Sequence, residues 1–139
     1  MGYNIGGRIT RNFALYEVVN ARAQETEKLI LSPEIIEHAQ MMQQLRDWYG
    51  KPLTVNSWYR TKTYNQACGG NKNSEHLDGR ATDVAGIPAS LYHDFTVAWN
   101  AICSAHGKIA NVGYYTWGMH FGSNADRYGY KQHYQHDYR

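Results

Sequence analysis

An aspartate stands in the middle of a short apolar run, Ala81-Thr-Asp-Val-Ala85, which Gly86 and Pro88 close. The run reads as a short buried strand. A carboxylate inside such a strand is costly unless it is paired or bound to a metal. Any fold open to this chain must therefore bring Asp83 a partner. Arg60 and Arg80 are the candidates for an ion pair, and a metal ion is the other choice.

Two helical segments frame the search for that partner. Ser32 is a good N-cap, Pro33 suits the first helical position, and Glu34 and Glu37 favour the positive end of a helix. Ile35, Ala39, Met42, Leu45 and Tyr49 recur at helical spacing, and Gly50 with Pro52 ends the pattern, so a helix is predicted over Pro33–Tyr49. Residues 89–106 form the second: Leu91, Phe95, Ala98, Trp99 and Ile102 share a face, and Gly107 is a good C-cap. Between them, Leu53-Thr-Val55 reads as a strand leading into Ser57-Trp-Tyr-Arg60. Residues 61–68 read as a short helix stopped by Gly69-Gly70, and Asn71-Lys-Asn-Ser74 as loop.

Residues 108–115 and 118–121 read as two strands with Thr116 and Trp117 near their turn. Residues 1–12 form a lead-in arm, and residues 13–19 fit a helical turn or a brief strand equally well. The tail, 123–139, is aromatic and polar without a clear period and reads as partly irregular. The expected architecture is a single α+β domain over residues 1–139, with helices packed on a small, mostly antiparallel sheet.

At 139 residues the chain can bury most of its apolar surface in one core without staples. A metal here is thus expected to be catalytic or locally structural rather than the sole cause of folding. The 14 basic and 12 acidic residues are scattered, with no basic block, so no nucleic-acid partner is expected. No stretch approaches the ~18–20 apolar residues of a membrane span. The first residues lack the apolar core of a secretory signal, and the chain is expected to be made as a soluble cytosolic product. Cys68 and Cys103 lie far apart and form no C-x-x-C metal pair; they read first as ordinary small apolar side chains, with one disulfide between them as the alternative.

An imidazole offers a neutral nitrogen lone pair near pH 7, which suits zinc. His76 sits in a polar, Gly-interrupted loop where a core histidine has little reason to be, and Gly79 permits a reversal toward Asp83. His120 is flanked by Trp117, Met119 and Phe121 on a predicted strand. Together they complete a His-Asp-His set that leaves the fourth position of zinc open. His38, His93, His106, His133 and His136 read as surface histidines.

These residues also carry a family resemblance. Ser74-Glu-His-Leu-Asp-Gly-Arg-Ala-Thr-Asp83 resembles the S-x-H-x-x-G-x-A-x-D signature of the M15 peptidases. Those are the zinc D-Ala-D-Ala carboxypeptidases and L-alanyl-D-glutamate endopeptidases of bacteria and phages. Upstream, Val55-Asn-Ser-Trp-Tyr-Arg60, Tyr64-Asn65 and Gly69-Gly70 are similar to the lead-in of that family. Downstream, Val112-Gly-Tyr-Tyr-Thr-Trp-Gly-Met-His120 resembles its last strand pair, and the likeness spans residues 12–122.

The resemblance implies a hedgehog/D-Ala-D-Ala-peptidase-like fold with Zn2+ on His76, Asp83 and His120. It implies that Arg60 binds substrate and stabilises the tetrahedral intermediate, with Tyr59 and Ser74 touching substrate or Ser74 capping the loop. A structural pairing of Arg60 with Asp83 or Asp78 remains the plainer reading of that arginine. Family members often carry a base as a Glu three residues, or a His two residues, before the third ligand; here Trp117 and Gly118 hold those places. Many also have Asp two residues after it, where this chain has Gly122. The general base is thus not located, and Asp126, His133, His136 and Asp137 are its candidates.

The expected activity is zinc-dependent hydrolysis of amide bonds in peptidoglycan stem peptides. The setting implied is a phage or prophage lysin, acting at the cell wall after release or as a virion component. The alternative is an inactive zinc module that binds wall peptide or a virion partner.

Overall fold

The computed structural model of the protein describes residues 7–19 and 31–139; the first six residues of the lead-in arm lie outside it. Strands β1 (Arg8–Thr10) and β2 (Phe13–Ala14) pair antiparallel and run straight into α1 (Leu15–Val19). Residues 13–19 thus hold both of the forms the sequence allows. The long helix α2 (Pro33–Tyr49) has the predicted ends. The Ser32 hydroxyl accepts from the Ile35 N–H at 3.2 Å, and Gly50, at φ +75°, donates its N–H to the Arg46 carbonyl.

Then follow β3 (Thr54–Ser57), α3 (Lys62–Ala67), β4 (Ala81–Ala85), α4 (Tyr92–Ala105), β5 (Asn111–Tyr114), β6 (Gly118–Gly122) and β7 (Tyr134–Asp137). The second helix is shorter than the predicted 89–106, because Ala89–Leu91 winds as a 3-10 turn ahead of it. Leu91 at the N-cap offers no side-chain acceptor for the free N–H groups of the first turn, and the tighter turn takes up that role. The main sheet runs β3-β4-β6-β5-β7. Three of its junctions are antiparallel and the last, β5 with β7, is parallel. The tail is therefore more regular than its composition suggests: it supplies a 3-10 turn (Ala125–Tyr128) and an edge strand.

Helices α2 and α4 pack on one face of this sheet. Trp58, Trp99, Phe95, Phe121, Met42 and Leu45 are fully buried between the layers, each worth about 1.5–3 kcal/mol in burial. His38 lies among them and is fully buried, against the expectation of a surface histidine. Its position follows from the helix: it shares the stripe of Ile35, Met42 and Leu45. Its ring satisfies itself on Ser123 Oγ (2.8 Å) and Thr82 Oγ1 (3.0 Å), with the edges of Trp58 and Trp99 beside it. The cysteines are unpaired as expected, but only Cys103 is a core residue; Cys68, at the end of α3, is exposed. Among the described residues, no helix is long and apolar enough to cross a membrane.

Register turns this scaffold into a site. On β4, Thr82 and Val84 face the core and Asp83 faces the other way. Asp83 pairs with Ser57 on β3 and with His120 on β6. His120 pairs with Gly113 on β5, and Gly113 with His136 on β7. One row across five strands thus carries Ser57, Asp83, His120, Gly113 and His136.

Candidate metal centre

His76 reaches this row from a tight 3-10 turn, Glu75–Asp78. The Ser74 hydroxyl caps it by accepting from the His76 N–H at 3.2 Å. Gly79 ends it at φ +71°, and a Cβ there would fall 2.4 Å from Ile35 Cγ1, so conformation and packing both require glycine. The Arg80 N–H then donates to the Glu75 carbonyl and feeds the chain into β4.

The reversal sets His76 Nε2 at 3.3 Å from Asp83 Oδ2, while His120 Nδ1 lies 2.8 Å from Asp83 Oδ1. One ligand atom from each of the three residues lies within 4.8 Å of the others. The tautomer of His76 is determined by its neighbour. Its Nδ1 is 2.5 Å from the Trp58 carbonyl, which only accepts, so Nδ1 carries a hydrogen and Nε2 is the atom that faces the cluster, a donor to Asp83 when protonated and a lone pair when a cation takes the proton's place.

Arg60 is gripped by three acceptors: Ser57 Oγ at 3.0 Å, Asn65 Oδ1 at 3.2 Å and Asp83 Oδ2 at 3.3 Å. The ion pair of Arg60 with Asp83 is therefore formed, whereas Arg80 pairs with Glu37 and Asp78 with Arg127. Behind His120 stands Glu75, fully buried, with Oε1 3.4 Å from His120 Nε2.

Asp83 faces one permanent cation, Arg60, and Glu75 faces His120. Burial opposes charge on His120, but Asp83 and Glu75 outweigh it and push the imidazole up to about 10. Burial likewise opposes charge on Asp83, and the charges and hydrogen bonds of His76 and His120 overcome it to hold the carboxyl well below the usual range. The cluster thus calls for one more positive charge, which a proton or a metal cation supplies. Two imidazoles and one carboxylate, with a side open to a cavity, form the donor set of a catalytic zinc site. The residues fit the group.

That cavity has a volume of about 400 Å³. Arg60, Ser74, His76, Asp83 and His120 line one part of it, and Tyr115, Tyr128, Tyr130, Tyr134 and Tyr138 line another. Tyr115 is stacked between Trp117 and Tyr138, with centroids 4.8 Å away on each side. Burial, then Tyr138 and Asp83, push its phenol up to about 12, so it stays protonated at neutral pH and can donate. Tyr59 does not line this cavity; it borders a separate one with Ile35, Leu77 and Arg80.

The two family positions for a base are filled in ways that exclude one. Trp117 is half-exposed and stacks on Tyr115. Gly118 packs so closely on β4 that a Cβ would lie 1.9 Å from the Val84 carbonyl oxygen. Of the four candidates in the tail, Asp126 is exposed, and His133 is engaged with Ser104 Oγ and the Ala110 N–H. Asp137 pairs with Arg139. His136 alone shares the row of His120, two strands away; its Nδ1 lies 3.2 Å from Tyr134 Oη, its ring packs on Tyr138, and it stands outside the cavity lining. Among the described residues, Asp83 is the one carboxylate that lines the cavity.

Sequence reasoning passed over Glu75 and the tyrosines. The signal for Glu75 lay inside the motif itself, a charged residue wedged between a cap and a candidate ligand. Tyr134 on β7 and Tyr138 just past its end could have been found from the alternation at 134, 136 and 138, with His136 in the middle.

A family model described as Peptidase M15 matches residues 11–117, a span that includes Arg60, Ser74, His76 and Asp83 and stops just short of His120. No curated protein matches the chain.

Proposed function

The chain belongs to the peptidase M15 family, and on that premise we propose that it is a zinc-dependent hydrolase of amide bonds in peptidoglycan stem peptides. One observation carries the reading: His76, Asp83 and His120 converge at the wall of a cavity beside Arg60. We place its action at the bacterial cell wall, where that substrate occurs, with a phage or prophage lysin as the specific setting.

His76 Nε2, His120 Nδ1 and an Asp83 oxygen would hold the ion. When bound, zinc polarises a carbonyl and lowers the pKa of a water ligand to about 7. Arg60 keeps its charge at every working pH and is held against the cluster by Ser57 and Asn65. It can therefore steady the oxyanion that develops as the scissile carbonyl is attacked, or grip a substrate carboxylate. Tyr115 adds a neutral O–H donor at the same wall. Ser74 holds the turn that carries His76 and borders the cavity, so its loop-capping and substrate-contacting roles are compatible. For proton transfer, His136 is the candidate on the right face of the sheet.

Release of peptide or amine from purified peptidoglycan, dependent on zinc and lost in His76→Ala, tests the proposal. No release with zinc supplied would overturn it. One observation favours a second reading: no carboxylate besides Asp83 lines the cavity among the described residues. A zinc module that binds wall peptide without cleaving it would show stoichiometric metal and tight peptide binding with no turnover.

A further inference from the structure

Glu75 is a fully buried carboxyl group that the chemistry above leaves without a task. Its carboxylate lies behind the His120 ring, at Nε2, while Asp83 faces Nδ1. Two neutral donors hold it in place: Asn111 Nδ2 on Oε1 at 2.7 Å and the Asn124 N–H on Oε2 at 2.7 Å. Gly122 makes the room, since a Cβ there would fall 2.3 Å from Oε1 and 2.5 Å from Oε2. A buried carboxyl group is costly unless its oxygens are hydrogen-bonded, and Oε1 has room for a second N–H beside that of Asn111. Among the described residues, His120 is the ionisable side chain in that position.

We propose that Glu75 is a positioning residue for His120. It takes the Nε2–H, selects that tautomer, and so presents the Nδ1 lone pair to the metal alongside Asp83 and His76. The proposal rests on reading the cluster as a zinc site. The two histidines are then held in opposite tautomers, His76 by a backbone carbonyl on Nδ1 and His120 by a carboxylate on Nε2. A carboxylate behind a ligating imidazole also makes it a stronger donor. Glu75 stands one residue before His76, so a single turn supplies one ligand and orients another.

The wild-type protein, labelled with 15N-histidine and loaded with zinc, gives the first test. Two-bond 1H–15N spectra should show His120 protonated on Nε2 and His76 protonated on Nδ1; an Nδ1–H form of His120 overturns the proposal. The second is zinc affinity measured against a chelator. Glu75→Gln keeps shape but sets an amide against at least one of the donors, and should weaken zinc by about 10–100-fold. Glu75→Ala should lose at least as much, and adding Gly122→Asp regrows a carboxylate in the same space and should recover about tenfold or more of that loss. Equal affinity of wild type and Glu75→Gln overturns the role of Glu75 while leaving the zinc site standing. A wild type that takes up no zinc overturns both. If Glu75→Gln does not fold, the wild-type tautomer decides.

Discussion

Asp83 Oδ1 and His120 Nδ1 lie 2.8 Å apart as direct partners in the β4–β6 ladder. The same nitrogen that would bind metal is therefore the one that, without metal, shares a proton with the carboxylate. With the imidazole pushed up to about 10, that proton is present at neutral pH. On the proposed zinc reading, metal and proton would compete for one place.

Zinc binding at pH 7 should accordingly release about one proton, and affinity should climb about tenfold per pH unit until it levels off near pH 10. Calorimetry in buffers of different ionisation heat counts the proton directly. An affinity that is flat between about pH 7 and 9 would contradict the pairing.

Stability of the metal-free protein should peak near pH 6.5 for two opposed reasons. His38 is kept neutral by burial and then by the charges of Arg80, His76 and His120, so its folded pKa lies well below 6.5. Below pH 6.5 the unfolded chain takes a proton that the native state refuses, and stability falls with falling pH. For His120 the folded value is raised, so its contribution is complete below 6.5 and is lost as pH rises toward about 10. Each limb should slope by up to about 1.4 kcal/mol per pH unit. Urea denaturation with a chelator present measures both limbs, and excess zinc should reverse the alkaline one. His38→Ala should remove this histidine's share of the acid limb at a cost of about 2–4 kcal/mol, because it opens a cavity and takes away the partner of Thr82 Oγ1, while Ser123 Oγ keeps the Arg80 carbonyl.

Features written locally were legible in the sequence. The caps of α2, the Gly79 reversal and the carboxylate in β4 each depend on residues within a few positions of one another. His38 was misread because its polarity was weighed without its place on the helical stripe, although Ile35, Met42 and Leu45 fix that stripe. Glu75 was missed for a different reason: its partners Asn111 and Asn124 lie 36 and 49 residues away, and only β-sheet closure assembles them. Strand β7 escaped notice because it is a largely exposed edge, where burial imposes no apolar alternation. Its position beside β5 is what brings His136 onto the face of the site.

Arg60→Lys should separate charge from geometry at the cavity wall. Lysine keeps the cation but cannot span Ser57, Asn65 and Asp83 together. If Arg60 stabilises the developing oxyanion, kcat on peptidoglycan peptides should fall about 10²–10³-fold, with zinc content and fold retained. Steady-state kinetics at saturating zinc, alongside metal analysis, provide the check. A change confined to KM would instead mark Arg60 as a ground-state carboxylate grip.

His136→Gln addresses proton transfer. His136 and His120 sit two strands apart in one row, about 10 Å between backbones, and the rings of Tyr138 and Tyr115 cover Gly113 between them. That separation is too long for His136 to touch the ligand cluster, so it would act on a substrate that extends past Tyr138 toward the β7 edge. The leaving amine of a bound peptide is the group that needs a proton there, and an imidazole can deliver it near neutral pH. The substitution should lower kcat about 10²-fold, leave zinc affinity unchanged, and remove one limb of the pH–rate profile. Glutamine preserves size and hydrogen bonding on this exposed edge, so loss of folding is not expected. A variant with the full rate and an unaltered profile would exclude His136 and direct the search to Tyr115, the protonated donor at the cavity wall.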